Sequence, residues 1–544
     1  MKTFPKAPFL TEDFSTKGGG IDFLGLRWVG LTIVGRYLVP ELNNVTLDMG
    51  TFFLGAWIPW KFGELCSGSK EYTEKNYKEF REKIEVALSL TLRGESKLDR
   101  EYGELRNKIG NTQRCPLPSR LTFKNAKRRD QNSLYAAAIY GPSLRALGLI
   151  KSYRSQAREG RESLRIPIVA DDPEVVQIVE GVDRSLEKAP CFRLLSSLDS
   201  PEFSWSDIKK LGECGLDPTI YGRPAFKNLK ACFRRCLLPG NSHDIGFGRT
   251  LTALLLLRTL EAREGLLGRE VRRIWYTGRF SDGQPLKLEE RELQNHRERW
   301  SCFLARQHQR YAIEIFLWCF EDALKGGLRT IDKIVDHWLV RSANAGMKLE
   351  DTFRGTLREC AGSLWKEDDA ATSSTWNNKV HGDHEYYEYV EEPEGDLAVY
   401  NGLKMLAGWY WRILARQGDP RTEKLMHLGG SDRMSMAWFL DWLNARRDLP
   451  MRNFLRDVFS DLVFSQHMRV ALARFDGSSQ RLRFLLGDQG VEPTRSALKD
   501  LGDLYLPWMP DRLGTLISLL CDCDVLEMED ETIRLGPSAG EVRA

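Results

Sequence analysis

From Leu288 to Lys325 the chain runs 38 residues without a proline or a glycine. Proline removes a backbone donor and clashes with the preceding helical turn, and glycine adds backbone entropy, so both tend to end helices. A stretch this long without either predicts one helix well beyond the usual globular length. Trp300, Phe303, Leu304, Gln307, Tyr311, Ile315 and Phe320 fall close to one stripe along it. Such a helix is either a spine for others to pack on or contains a break. It commits the chain to a mainly α architecture.

The remaining sequence supports that class. Helices are predicted at 72–90, 250–267, 397–416, 432–447 and 451–475, and an apolar one at 513–520. At 544 residues the chain exceeds one core, so about three to four domains are expected. The apolar fraction of 42% and charged fraction of 28% are those of a globular protein. Eleven scattered cysteines show no framework spacing and fit reduced thiols in a cytoplasm. No secretory signal and no run of about eighteen apolar residues is evident, so a cytoplasmic protein that does not enter a membrane is expected.

The net charge of +3 conceals a strong partition. Lys124 to Arg165 holds ten Lys or Arg against three carboxylates, a balance of +7. Glu350 to Asp396 holds thirteen Asp or Glu against four cations, a balance of −9. Surfaces charged this differently discriminate between partners.

The basic stretch also has a pattern. A helix pair broken at Gly141-Pro142 leads into polar, basic residues 150–165. Ile166, Ile168 and Val169 then predict a short strand, which Pro167 confines to a sheet edge. Asp172 and Pro173 mark the N-cap and first turn of a further helix. Helix, basic connection, strand, helix is compatible with a winged helix whose wing is basic. A helical domain with a solvated basic loop fits the same pattern. Cations on a projecting wing would neutralise phosphates, which positions a protein on nucleic acid without reading bases.

A second helix-then-hairpin pattern closes the chain. Val525, Leu526 and Met528 form one arm, Asp530-Glu531 the turn, and Ile533 and Leu535 the other arm. Its acidic tip points to a protein contact rather than to phosphate. Leu482, Phe484 and Leu486 predict another strand.

Motifs for chemistry are sparse. Gly246 to Thr250 resembles a helix entry but lacks the lysine of a phosphate-binding loop. Cys232, Cys236 and His243 lack a fourth zinc ligand nearby, and Cys521 and Cys523 need further partners too. His381, Asp383 and His384 could hold a divalent metal for phosphodiester cleavage, but lie in an acidic, tyrosine-rich loop whose field repels phosphate. A nucleophile elbow is absent. Eight arginines between 446 and 483 suit phosphate recognition or pairing with acidic surfaces equally well.

The opening Asp22 to Trp28 (DFLGLRW), Leu38 to Leu42 (LVPEL), the aromatic block to Trp60, and Arg306-Gln307 with Gln309-Arg310-Tyr311 together cover about a fifth of the chain. They resemble bacterial proteins encoded beside helicases in anti-phage defence clusters, in size and character like an accessory subunit of a system such as Druantia. The shared motifs are structural, so no site residue carries over. The resemblance implies other defence proteins as partners, a helicase among them.

These readings predict a mainly α, multi-domain helical protein with one or two winged-helix-like modules. Its segments would be an aromatic-rich helical domain (1–120), a basic winged-helix-like module (121–200), a central helical domain with the spine (201–366), an acidic loop (367–396), a helical domain (397–475) and a C-terminal winged-helix-like module (476–544). The expected function is that of a non-enzymatic subunit for DNA binding or assembly in an antiviral defence complex. The alternatives are a metal-dependent nuclease built on His381, Asp383 and His384, and a pure scaffold. Lys124, Lys127, Arg128, Arg129, Lys151, Arg154, Arg158, Arg161 and Arg165 are expected to contact duplex DNA or another nucleic acid. No catalytic residue, metal or cofactor is assigned.

Overall fold

The computed structural model describes residues 22–42, 48–66, 68–91, 120–122, 141–153, 166–199, 202–244, 246–346, 395–414, 416–473, 482–494, 497–502 and 509–542. Helix dominates, with a few short strands. The chain divides into two compact units, each assembled from separate stretches. The first comprises the described parts of Met1–Leu38 and Arg258–Asp511, the second those of Val39–Leu257 and Arg512–Ala544.

The first unit is organised on the predicted spine, a continuous helix Arg291–Lys325 of 35 residues. At 1.5 Å per residue it spans about 50 Å. The structure departs from the one-stripe expectation, because from Trp300 to Leu317 every face of the helix is buried. Helices Arg27–Ile33, Gly268–Thr277, Ala398–Leu414 and the 451–473 segment surround it. Its polar side chains are therefore inside, and burying them unpaired would cost several kcal/mol each, on the order of 2–7.

They are paired largely with backbone carbonyls. Arg306 donates to the carbonyls of Leu26, Arg433 and Met434, and Gln309 donates to Met434 at 2.9 Å. Met434 sits at φ 46°, a left-handed conformation unfavourable for its side chain. Two spine donors on its carbonyl hold it there. Arg310 pairs with Glu314 at 3.1 Å, and Glu314 also meets Arg27 at 3.4 Å. Asp22 accepts from the N–H groups of Leu26 and Arg27 and so opens the Arg27–Ile33 helix. The 22–28 segment and the Arg306-to-Tyr311 segment are thus two halves of one clasp.

The second unit is built around helix Met49–Cys66, whose Phe52, Phe53, Trp57, Ile58 and Phe62 are all buried. Gly50 lets it approach the 218–222 turn, since a Cβ there would lie 2.1 Å from the carbonyl oxygen of Pro218. Helices Pro173–Leu186 and Lys227–Leu237 complete the core. Asp172 caps the first of these by accepting from the Glu174 N–H at 3.0 Å, with Pro173 in the opening turn.

Candidate nucleic-acid interface

Residues 141–186 read helix, strand, strand, helix. Helix Gly141–Ala146 turns through Gly148, at φ 69°, into strand Ile150–Tyr153. This strand pairs antiparallel with Pro167–Val169, matching Ile150 to Val169 and Tyr153 to Pro167, with an irregularity between Ile150 and Ser152. The predicted edge strand therefore exists, and its partner is a strand that reading the sequence missed. Ile150 and Ser152 alternate with Lys151 and Tyr153, but four residues entering a basic stretch are a weak signal.

The ladder brings residues 153 and 167 together, and the sequence between them is basic. That segment carries Arg154, Arg158, Arg161 and Arg165 against Glu159 and Glu162. These four arginines lie outside the described residues, as do Lys124, Lys127, Arg128 and Arg129. Lys151 is described. It is exposed and forms an ion pair with Asp171, whose carboxyl is held below its ordinary range first by the hydrogen bond from Lys151. An exposed pair of this kind adds little stability.

The hairpin stands on a fixed base. Helix Met49–Cys66 packs on both strand Pro167–Val169 and helix Pro173–Leu186. Trp57 donates to Asp183 at 2.9 Å, and Lys61 meets the other oxygen of that carboxylate at 2.8 Å. Ser143 donates to the Glu41 carbonyl at 2.9 Å.

The other candidates resolve differently. Arg249, from the glycine-flanked helix entry, is fully buried and donates to the carbonyls of Leu237, Pro40 and Ala146. Burial lowers its pKa to about 10. It seals three chain segments, and its guanidinium is occupied.

Cys232 approaches Gln177 Oε1 at 3.2 Å, and burial pushes the Cys236 thiol up to about 12 and that of Cys521 up to about 11. A thiol held protonated is a poor metal ligand. Among the described residues no group of three or more His, Cys, Asp or Glu could hold a metal ion. His381, Asp383 and His384 lie outside the described residues.

The arginines of the 446–483 patch are largely committed within the first unit. Arg446 pairs with Asp457 and Asp461, Arg452 with Asp336, and Arg447 donates to Tyr410. Arg483 is buried between Glu321 and Asp500. Burial raises the Glu321 carboxyl, and the Arg483 guanidinium opposes that shift. Carboxylates of the fold therefore occupy the guanidinium groups of Arg446, Arg452 and Arg483 that phosphate would need. Arg474 and Arg481 lie outside the described residues.

The C-terminal hairpin forms as its sequence predicts. Helix Leu513–Asp522 leads into strands Leu526–Glu529 and Thr532–Leu535, closed by Asp530 and Glu531 at φ 48° and 65°. It is anchored in the second unit by Lys230 with Asp524 at 2.8 Å and by Asp522, which accepts from the Met49 N–H at 2.7 Å.

Among the described residues no helix is long and apolar enough to cross a membrane. Comparison of the chain with protein-family models, with curated proteins and with solved structures found no match.

Proposed function

We propose that this protein is a non-enzymatic nucleic-acid-binding or assembly subunit of a multi-protein bacterial antiviral defence system. In this reading residues 141–186 are a winged-helix-like module, and its basic connection meets the backbone of duplex DNA. One observation carries the reading. The Ile150–Tyr153 and Pro167–Val169 ladder lies between two helices on a buried base, and the sequence between its strands carries four arginines. Arginines on a hairpin connection release counterions from phosphate whatever the base sequence.

The test is duplex-DNA binding by fluorescence anisotropy across a salt series. Wild-type affinity is expected to fall steeply with salt. Replacing Arg154, Arg158 and Arg161 by Glu is expected to abolish binding at about 0.1 M salt. Unchanged binding in the triple variant would refute the proposed interface. Absence of DNA binding in the wild type would leave a protein scaffold as the function.

A further inference from the structure

Strand Leu526–Glu529 pairs with Thr532–Leu535 on one side, and on its other side no described strand pairs with it. The two-residue turn fixes the phase of the ladder. Glu529 opposite Thr532 closes the turn as a hydrogen-bonded pair, and Glu527 opposite Arg534 is the next such pair. The N–H and C=O groups of Leu526 and Met528 consequently point outward, away from the partner strand. Beside them lies an open cavity of about 510 Å³ whose lining includes Cys521, Asp524, Glu527, Met528, Glu529 and Pro537. Met528 is 60% exposed. A backbone edge that no described strand pairs, next to a groove, is the geometry by which extended peptides add to a sheet.

The charge around this edge selects the occupant. Asp524 to Leu535 holds five carboxylates and one arginine. Lys230 takes Asp524 and Arg534 takes Glu529. Glu527, Asp530 and Glu531 remain exposed with no cation against them among the described residues. A second copy of the same hairpin would set like charges opposite one another, which is destabilising. A basic strand would not.

The turn adds an independent observation. Two-residue hairpins of this twist need positive φ at both central positions and favour Asn-Gly or Asp-Gly. Glu531 holds φ 65° without glycine's freedom. Residues kept against local preference are a reason to look for function.

We propose that this edge docks an extended basic segment of a partner protein, which adds as a further strand. Its Lys or Arg side chains alternate toward Glu527 and toward Glu529, which it would share with Arg534, and an apolar residue covers Met528. The inference deepens the assembly part of the function proposed above and rests on it for the existence of a protein partner.

The experiment uses the full chain and no DNA. The probe is a fluorescein-labelled peptide of alternating lysine and valine, about eight residues long, enough for one strand. It is expected to bind, and an alternating glutamate–valine peptide is not. The lysine–valine peptide with alternate amides N-methylated keeps its charge but loses the ladder, and should bind at least about tenfold more weakly. Replacing Glu527 and Glu529 by Lys should abolish binding, whereas the Arg154, Arg158 and Arg161 triple variant should bind as wild type does. No binding of the lysine–valine peptide, or equal binding of its N-methylated form, would overturn the proposal. Because the N-methyl comparison uses wild-type protein, it decides the matter even where a substituted chain fails to fold.

Discussion

The basic hairpin at 150–169 and the acidic hairpin at 526–535 belong to the same unit, and each follows a short helix. They differ in how their strands are joined. The basic pair is closed by twelve residues, 154–165, carrying four arginines. The acidic pair is closed by two residues, which fix every outward-facing backbone group. Phosphate contact needs charge within reach and tolerates loose register, because the duplex offers an anion every few ångströms. Strand addition needs a defined ladder phase and fails when that phase slips. Each hairpin has the connection that its proposed partner chemistry requires.

The largest expected effect tests the charge half of this comparison. Arg154→Glu with Arg158→Glu and Arg161→Glu should lower duplex-DNA affinity on the order of a thousandfold in low salt, and flatten the slope of log affinity against log salt by about three. Glu527→Lys with Glu529→Lys should change the same affinity only about threefold. A large gain of DNA binding in the second variant would mean that net charge alone, and not the hairpin's design, separates the two.

Asp183→Ala tests the base of the basic hairpin. It leaves the Trp57 indole N–H and the Lys61 ammonium without their shared acceptor. A loss of about 3 kcal/mol in chemical denaturation is expected.

The acidic hairpin should show a pH dependence through Asp522, at the end of its leading helix. Burial raises this carboxyl to about 7, although the Met49 N–H opposes the shift. The folded protein then binds a proton that the unfolded chain releases near pH 4. The stability from this group is complete below about pH 4 and is lost as pH rises through about 7. Melting temperature should fall between pH 5 and pH 8 by the equivalent of on the order of 2 kcal/mol. Asp522→Asn should remove most of that slope.

The smallest effect sharpens the comparison at the turn. Glu531→Gly relieves a left-handed glutamate and should stabilise the protein by about 1 kcal/mol, read as a melting temperature higher by a few degrees. If the charge of the tip serves docking, the same variant should bind the lysine–valine peptide more weakly despite its greater stability.

Features carried by neighbouring residues were legible in the sequence. The absence of Pro and Gly over 288–325 predicted the spine, Asp172-Pro173 predicted a helix start, and Asp530-Glu531 between apolar arms predicted a hairpin. Strand Ile150–Tyr153 is not legible in the sequence, because its alternation covers four residues and a ladder partner fourteen positions beyond its end supplies the pairing. The 446–483 arginines suited phosphate or carboxylate equally well, since a guanidinium fork fits both. Asp336 and Glu321 decided between them, and both lie more than a hundred residues away in sequence.

The helical class, the spine, the acidic hairpin and the strong separation of charge are written in local sequence. These follow from backbone sterics, local capping and composition, all of which act between near neighbours. Enclosure of the spine from Trp300 to Leu317 on every face comes only with packing. So do the clasps of Arg306 and Arg249 on backbone carbonyls and the pairing of Ile150–Tyr153 with Pro167–Val169. A buried donor finds its acceptor by packing, and packing joins Arg306 to a Leu26 carbonyl 280 positions away. No local pattern encodes a contact of that range.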